Sequence, residues 1–174
     1  MCSGKTTLGR ALSCRLDVPF VDLDEYIEAS RGRTIGEIFA TDGEPTFRDI
    51  ERRALSEVID RYPAAIIACG GGTPCFGNNL DVMRSAGTTV WLDADRRRLI
   101  DRLVEGADRR PLVRGKSRQE LEAFVDRALA DREPFYCRAD LRFDATYLED
   151  QRQIDSSVNS FISLFQTLAD NVRQ

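Results

Sequence analysis

Apolar residues fall along this chain in short blocks that alternate with longer segments of helical spacing. The spacing predicts a helix over 6–16, stopped by Asp17-Val18-Pro19, and then a short strand over 19–23. Helical segments follow over 24–30 and 34–40, the second opened by a capping box of Thr34 and Glu37, and a longer helix runs over about 44–61. Residues 64–69 are a continuous apolar run closed by Gly70-Gly71-Gly72, as expected for a strand buried on both faces. A helix over 79–85, a strand over 88–92 and a helix over 95–104 come next. Residues 105–116 contain Gly, Arg and Pro without periodicity and read as a loop. Ser117 and Glu120 make a second capping box, opening a helix to about residue 131, and a strand over 141–144 precedes an amphipathic helix over 150–172. Strands alternating with helices imply an α/β domain, a mostly parallel sheet covered by helices, spanning residues 1–174 without repeats or an obvious linker.

Composition narrows the classes of function. The chain has 174 residues, with 25 basic against 29 acidic, and this net charge of -4 offers no broad basic field for nucleic acid. No apolar run approaches the roughly 18–20 residues of a membrane span. No signal-peptide pattern is present, so a cytoplasmic protein without a membrane partner is expected. Cys2, Cys14, Cys69, Cys75 and Cys137 include no C-x-x-C pair, and histidine is absent altogether, which excludes a Cys/His zinc site. Without histidine, proton transfer falls to a carboxylate, lysine, tyrosine or cysteine. Lysine occurs only at Lys5 and Lys116 in a chain otherwise rich in arginine.

In sheets of this kind ligands bind outside the carboxyl ends of the strands. Three such ends carry suggestive chemistry. Gly4-Lys5-Thr6 fits the end of the pattern G-x-x-x-x-G-K-[ST], whose backbone N–H groups and lysine hold phosphates and whose hydroxyl faces Mg2+. By itself it fits a capped helix start equally well. Alternation places Asp22 and Asp24 on one face of their strand, where a cation shared through waters would relieve their repulsion and leave Asp24 able to accept a proton. Asp24 also fits a simple helix cap. Gly70-Gly71-Gly72 permits close approach of main chain to a ligand, or a flexible turn. The conjunction suggests phosphoryl transfer to a small hydroxylated acceptor. Among the arginines, Arg48 lies one helical turn before Glu51, which would orient it, while Arg110 lies in the loop and Arg132 in Arg132-Glu133-Pro134-Phe135-Tyr136.

These segments occur in the order and approximate spacing of one family. Gly4-Lys5-Thr6-Thr7-Leu8-Gly9, Phe20-Val21-Asp22-Leu23-Asp24, Phe47-Arg48 with Glu51, Gly70-Gly71-Gly72, Arg110-Pro111-Leu112 and Arg132-x-Pro134-x-Tyr136 make the chain resemble the shikimate kinases from residue 1 to about 139. The resemblance implies a three-layer α/β/α P-loop kinase fold with a central parallel sheet and a mobile lid. It implies transfer of the ATP γ-phosphoryl group to the 3-hydroxyl of shikimate, with Mg2+, in chorismate and aromatic amino acid biosynthesis. ATP contacts would come from Ser3, Gly4, Lys5, Thr6, Thr7, Arg102 and Arg110, and metal contacts from Thr6 and Asp22. Asp24 would bind the acceptor hydroxyl and act as base beside Lys5 and Arg110. Arg48 and Arg132 would clamp the shikimate carboxylate, with Gly71 and Gly72 on its ring. Acceptor binding would occupy about residues 25–62 and the lid about 105–117, in a monomer.

Two residues depart from the family pattern. Cys2 stands at a loop position that is commonly glycine, and Ala68 where a hydroxyl or acidic side chain near the metal is common. The first strand and first glycine of the loop pattern would lie ahead of Met1, so the chain is read as lacking them. On that reading it is expected to be poorly soluble and to bind ATP weakly. The rival readings are another P-loop small-molecule kinase, acting on gluconate or a nucleoside monophosphate, and a non-catalytic nucleotide-binding protein.

Overall fold

The first strand is short because its last residue also starts a helix. In the computed structural model, which describes residues 2–105 and 115–172, β1 (Phe20–Asp22) ends where the Asp22 side chain caps α2 (Leu23–Arg31). Asp22 Oδ1 accepts from the backbone N–H of Asp24 at 3.1 Å and of Glu25 at 3.5 Å. Asp24 therefore stands in the first helical turn and not along the strand. Strand alternation does not bring the two aspartates together, as expected from the sequence; the cap does.

Ahead of β1, α1 (Lys5–Leu16) starts after Gly4 and buries Leu8, Gly9 and Leu12. The two helices expected over 34–61 form one element, α3 (Ile35–Arg61), with the Thr34–Glu37 capping box in place. It is broken at Gly43, whose φ of 77° is left-handed, two residues before Pro45. β2 (Ile66–Ala68) leads through the glycines into one 3-10 turn at Thr73–Cys75, then α4 (Asn79–Ala86), β3 (Val90–Asp93) and α5 (Arg96–Glu105). The Ser117–Glu120 box opens α6 (Arg118–Tyr136), which outruns its expected end by passing through Pro134. Pro134 lies in the last turn, which still closes through the Cys137 N–H on the Glu133 carbonyl at 2.9 Å. β4 (Leu141–Asp144) and α7 (Gln151–Val172) complete the described chain.

The strands form two parallel pairs. β1 lies against β2 with Val21 opposite Ile67, and β3 against β4 with Leu92 opposite Phe143. Helical crossovers connect them, as parallel neighbours require. Leu8 and Leu12 of α1, Val158 of α7 and Phe143 of β4 share one core cluster, with Ile66 and Val90 at its margin. Leu23, Ile27, Ile38, Phe47, Leu55 and Val58 pack α2 and α3 around β1. A third cluster joins α5 to α6 through Ile100, Leu103, Leu121 and Val125.

Among the described residues β2 and β3 do not pair. A cavity of about 850 Å³ lies between them, lined by residues of β2 and β3 and by none of β1 or β4. Ile66 and Ile67 are consequently only half-buried, where that apolar run was expected to be covered on both faces, and all four residues of β3 are half-buried too. No helix among the described residues is long and apolar enough to cross a membrane.

Candidate active site

The N-terminus of α1 lies at the carboxyl end of β1, where Thr6 meets Asp22. Gly4 makes that possible on two counts. Its φ of 87° is left-handed, and a Cβ there would sit 2.3 Å from Leu148 Cδ1. Cys2, where the sequence resemblance leads one to expect glycine, also adopts a left-handed φ of 53°, a strained value for a residue with a side chain. Its carbonyl is held by Arg102 Nη1 at 3.1 Å. Arg102 further donates to the carbonyls of Ala145 at 3.4 Å and Thr146 at 2.7 Å, and to Glu149 Oε1 at 2.9 Å. The edge of this guanidinium is thus taken up in bracing the loop, which leaves only its flat face for a base.

Thr6 Oγ1 donates to Asp22 Oδ2 at 3.1 Å, bringing together the two groups expected at the metal. Ser3 and Lys5 are half-buried beside them, and Thr7 is exposed. Asp24 is half-buried, and its carboxyl is held above the usual aspartate range, first by burial and then by the charges of Asp22 and Glu51. Lys5 opposes that shift, so the lysine charge reaches Asp24. The Cys69 thiol is pushed up to about 12, chiefly by burial and then by Glu51, so it stays protonated and offers no nucleophile. Ala68 is buried and contributes no polar group.

Arg48 is fixed from two sides. Its Nη1 donates to Glu51 Oε2 at 2.8 Å, and its Nη2 and Nε donate to Glu44 Oε1 at 2.9 and 3.2 Å. The rings of Phe76, Phe47 and Phe39 surround the guanidinium at 4.0, 5.1 and 6.0 Å. Glu51, 1% exposed, also accepts from Thr73 Oγ1 at 2.6 Å, and Asn79 Nδ2 donates to the Thr73 carbonyl at 2.9 Å. A Cβ on Gly72 would lie 2.9 Å from Arg48 Nη2, so glycine is what lets the turn lie against the arginine.

Tyr136 donates its hydroxyl to the Gly71 carbonyl at 2.6 Å, tying the end of α6 to the same turn. Burial raises the Tyr136 hydroxyl and the half-buried Cys75 thiol above their ordinary ranges; the charge of Arg132 opposes both shifts, and that of Arg48 opposes the second.

The structure brings Lys5, Thr6, Asp22, Asp24, Arg48, Gly71, Gly72 and Arg132 to one edge. Arg110 and most of the expected lid over 105–117 lie outside the described residues. Sequence reasoning paired Glu51 with Arg48 but missed Thr73 and Asn79, which carry that pairing into the glycine turn. It also missed Phe76 and Glu44. The run of glycines just before Thr73 was the available signal, since a backbone that close needs a fixed neighbour. The arrangement comprises a helix N-terminus with Lys5, the half-buried Asp24 carboxyl, and the Arg48 guanidinium held by Glu51 against Gly72.

The family model described as shikimate kinase matches residues 1–163. The shikimate kinase of Bacteroides fragilis is 44% identical over 164 residues, covering 94% of this chain and 91% of that protein. A crystal structure of shikimate kinase from Bacteroides thetaiotaomicron superposes with a TM-score of 0.89 at 42% identity, covering 95% of this chain and 94% of that one. Shikimate kinase from Acinetobacter baumannii in complex with shikimate gives a TM-score of 0.82 at 28% identity, covering 95% of this chain and 88% of that one. The paired parallel strands and their helices are therefore those of a P-loop α/β kinase, and the chain belongs to the shikimate kinase family of ATP-dependent phosphotransferases.

Proposed function

We propose that this chain transfers the γ-phosphoryl group of ATP to the 3-hydroxyl of shikimate, giving shikimate 3-phosphate and ADP. The observation that carries the reading is the half-buried Asp24 carboxyl, which feels the charges of Asp22, Glu51 and Lys5, while Glu51 holds Arg48 Nη1 at 2.8 Å. Asp24 accepts the proton of the acceptor hydroxyl as that oxygen bonds to the γ-phosphorus and the bond to the β-phosphate oxygen breaks. Its raised pKa suits a base that must also release the proton afterwards. Ser3, Gly4, Lys5, Thr6 and Thr7 hold the phosphates, through backbone N–H groups and the lysine charge. Arg48 and Arg132 bind the carboxylate of the acceptor, and Gly71 and Gly72 face its ring.

A Mg2+ ion fits the donor set: Thr6 and Asp22 offer hard oxygen ligands, and no group of three or more His, Cys, Asp or Glu competes for it among the described residues. Bound there with ATP, it would neutralise phosphate charge. Arg110 and the segment 105–117 form the lid, on the strength of the Arg110-Pro111-Leu112 motif, and residues 25–62 form the acceptor wall. Because one chain supplies all of these groups, a single kinase domain over 1–174 acting as a cytoplasmic monomer suffices.

Release of ADP in the presence of shikimate, gluconate, AMP or no acceptor tests the assignment. Turnover with shikimate alone is expected. Turnover that is absent, or indifferent to the acceptor, in the folded protein would overturn it.

A further inference from the structure

We propose that Glu44 is a displaceable counter-ion, a carboxylate of the chain's own that occupies the binding edge of Arg48 in the free protein and yields it to the carboxylate of the acceptor. The inference rests on the assignment of Arg48 to that carboxylate. A guanidinium has five N–H donors, and a fork of two of them matches the two oxygens of a carboxylate in parallel. In Arg48 the fork of Nε and Nη2 points at a single oxygen, Glu44 Oε1, at 3.2 and 2.9 Å. Nη1 belongs to Glu51 at 2.8 Å. One oxygen serving two donors is a poorer fit than the bidentate pair that an incoming carboxylate makes with the same edge.

The two glutamates differ in how easily they move. Glu51 is buried and also accepts from Thr73 Oγ1 at 2.6 Å, so it stays. The Glu44 side chain is 53% exposed, and among the described residues Arg48 is its one hydrogen-bonding or ionic partner. It directly follows Gly43, whose left-handed φ of 77° interrupts α3. A Cβ on Gly43 would meet only Pro45 Cδ, at 3.7 Å, so the turn that carries Glu44 has open space beside it. Arg48 is far less free, with its side chain 17% exposed and the Phe76 ring 4.0 Å away. Two carboxylates on one guanidinium leave an excess of negative charge where an anion has to dock. Turning Glu44 out to solvent removes that excess, while Glu51 keeps the guanidinium compensated.

Removing a supporting residue weakens acceptor binding, whereas removing a competitor strengthens it, so the sign of the change separates the two roles. An ion pair with so exposed a partner is worth little, and Glu44→Gln is expected to lower KM for shikimate about two- to fivefold with kcat little changed. Benzoate supplies a carboxylate on a six-membered ring and no hydroxyl to phosphorylate. Its dissociation constant, read by titrating the Arg48 Nε–H resonance in nitrogen–proton NMR, is expected to fall by a similar factor in Glu44→Gln. Benzyl alcohol, the neutral counterpart, is expected to gain nothing. Either constant unchanged or raised, or an equal gain for benzyl alcohol, would overturn the proposal. Benzoate binding needs no turnover, so this readout stands or falls separately from the kinase assay.

Discussion

Replacing Glu51 by glutamine removes one charge from behind Arg48, the proposed carboxylate-binding arginine, while preserving the shape of the side chain. The carboxylate is 1% exposed and holds Arg48 Nη1 at 2.8 Å and Thr73 Oγ1 at 2.6 Å. The amide oxygen can still accept from Thr73, so the loss falls on the charge-assisted bond to Arg48, about 1.5–3 kcal/mol. Arg48 keeps Glu44 at 2.9 Å, so the penalty stays below the roughly 3–5 kcal/mol of a buried charge left without a partner. A net loss of about 2 kcal/mol, with a urea slope of roughly 2 kcal/mol/M, lowers the unfolding midpoint by about 1 M. Glu44 is half-exposed and draws the guanidinium outward, so KM for shikimate rises more than kcat falls. Urea titration and steady-state kinetics on the same preparation check both halves. A midpoint shift under about 0.2 M together with an unchanged KM would refute the idea that Glu51 holds Arg48.

Asp24→Asn is expected to lower kcat by about 10²–10⁴-fold without destabilising the protein, because it removes a buried charge beside two others. Circular dichroism melts and turnover measured together decide this. In the unaltered protein kcat falls as pH drops through a value above the ordinary 3.8 of an aspartate. The stability contribution of Asp24 has the opposite sense: with its folded pKa raised, it is present at low pH and lost as pH rises through that pKa. Both dependences should vanish in Asp24→Asn. Lys5→Met is expected to weaken ATP binding at least about tenfold, read by calorimetry. Because Lys5 opposes the upward shift of Asp24, the same variant moves the acid limb of any residual activity to higher pH. Tyr136→Phe removes the 2.6 Å bond to the Gly71 carbonyl and is expected to cost about 1 kcal/mol of stability and raise KM for shikimate with kcat little changed.

What could be read in advance was mostly local. Both capping boxes, Thr34 with Glu37 and Ser117 with Glu120, form as their spacing requires, since their bonds join residues three apart. The pairing of Arg48 with Glu51 is of the same kind. Asp22 shows how a local rule fails. Strand alternation and helix capping competed for the same residue, capping won, and Asp24 moved from a strand face to a helical turn. α6 outlasted Pro134 because a proline in the final turn forfeits little of a helix already packed through Leu121 and Val125. Non-local features had no signature at all. Arg102 reaches a carbonyl 100 residues away, and no spacing along the chain announces that bond.

The central claim, that this chain transfers the γ-phosphoryl group of ATP to the 3-hydroxyl of shikimate, is tested most directly by the position of the phosphate in the product. Incubation with Mg2+, ATP and shikimate, followed by phosphorus–proton correlation in NMR, is predicted to give one phosphate, on O3, with an equal yield of ADP. 3-Dehydroshikimate, which carries a ketone there, is predicted to give none. A phosphate on another oxygen, or ADP formed equally with the ketone, would contradict the account.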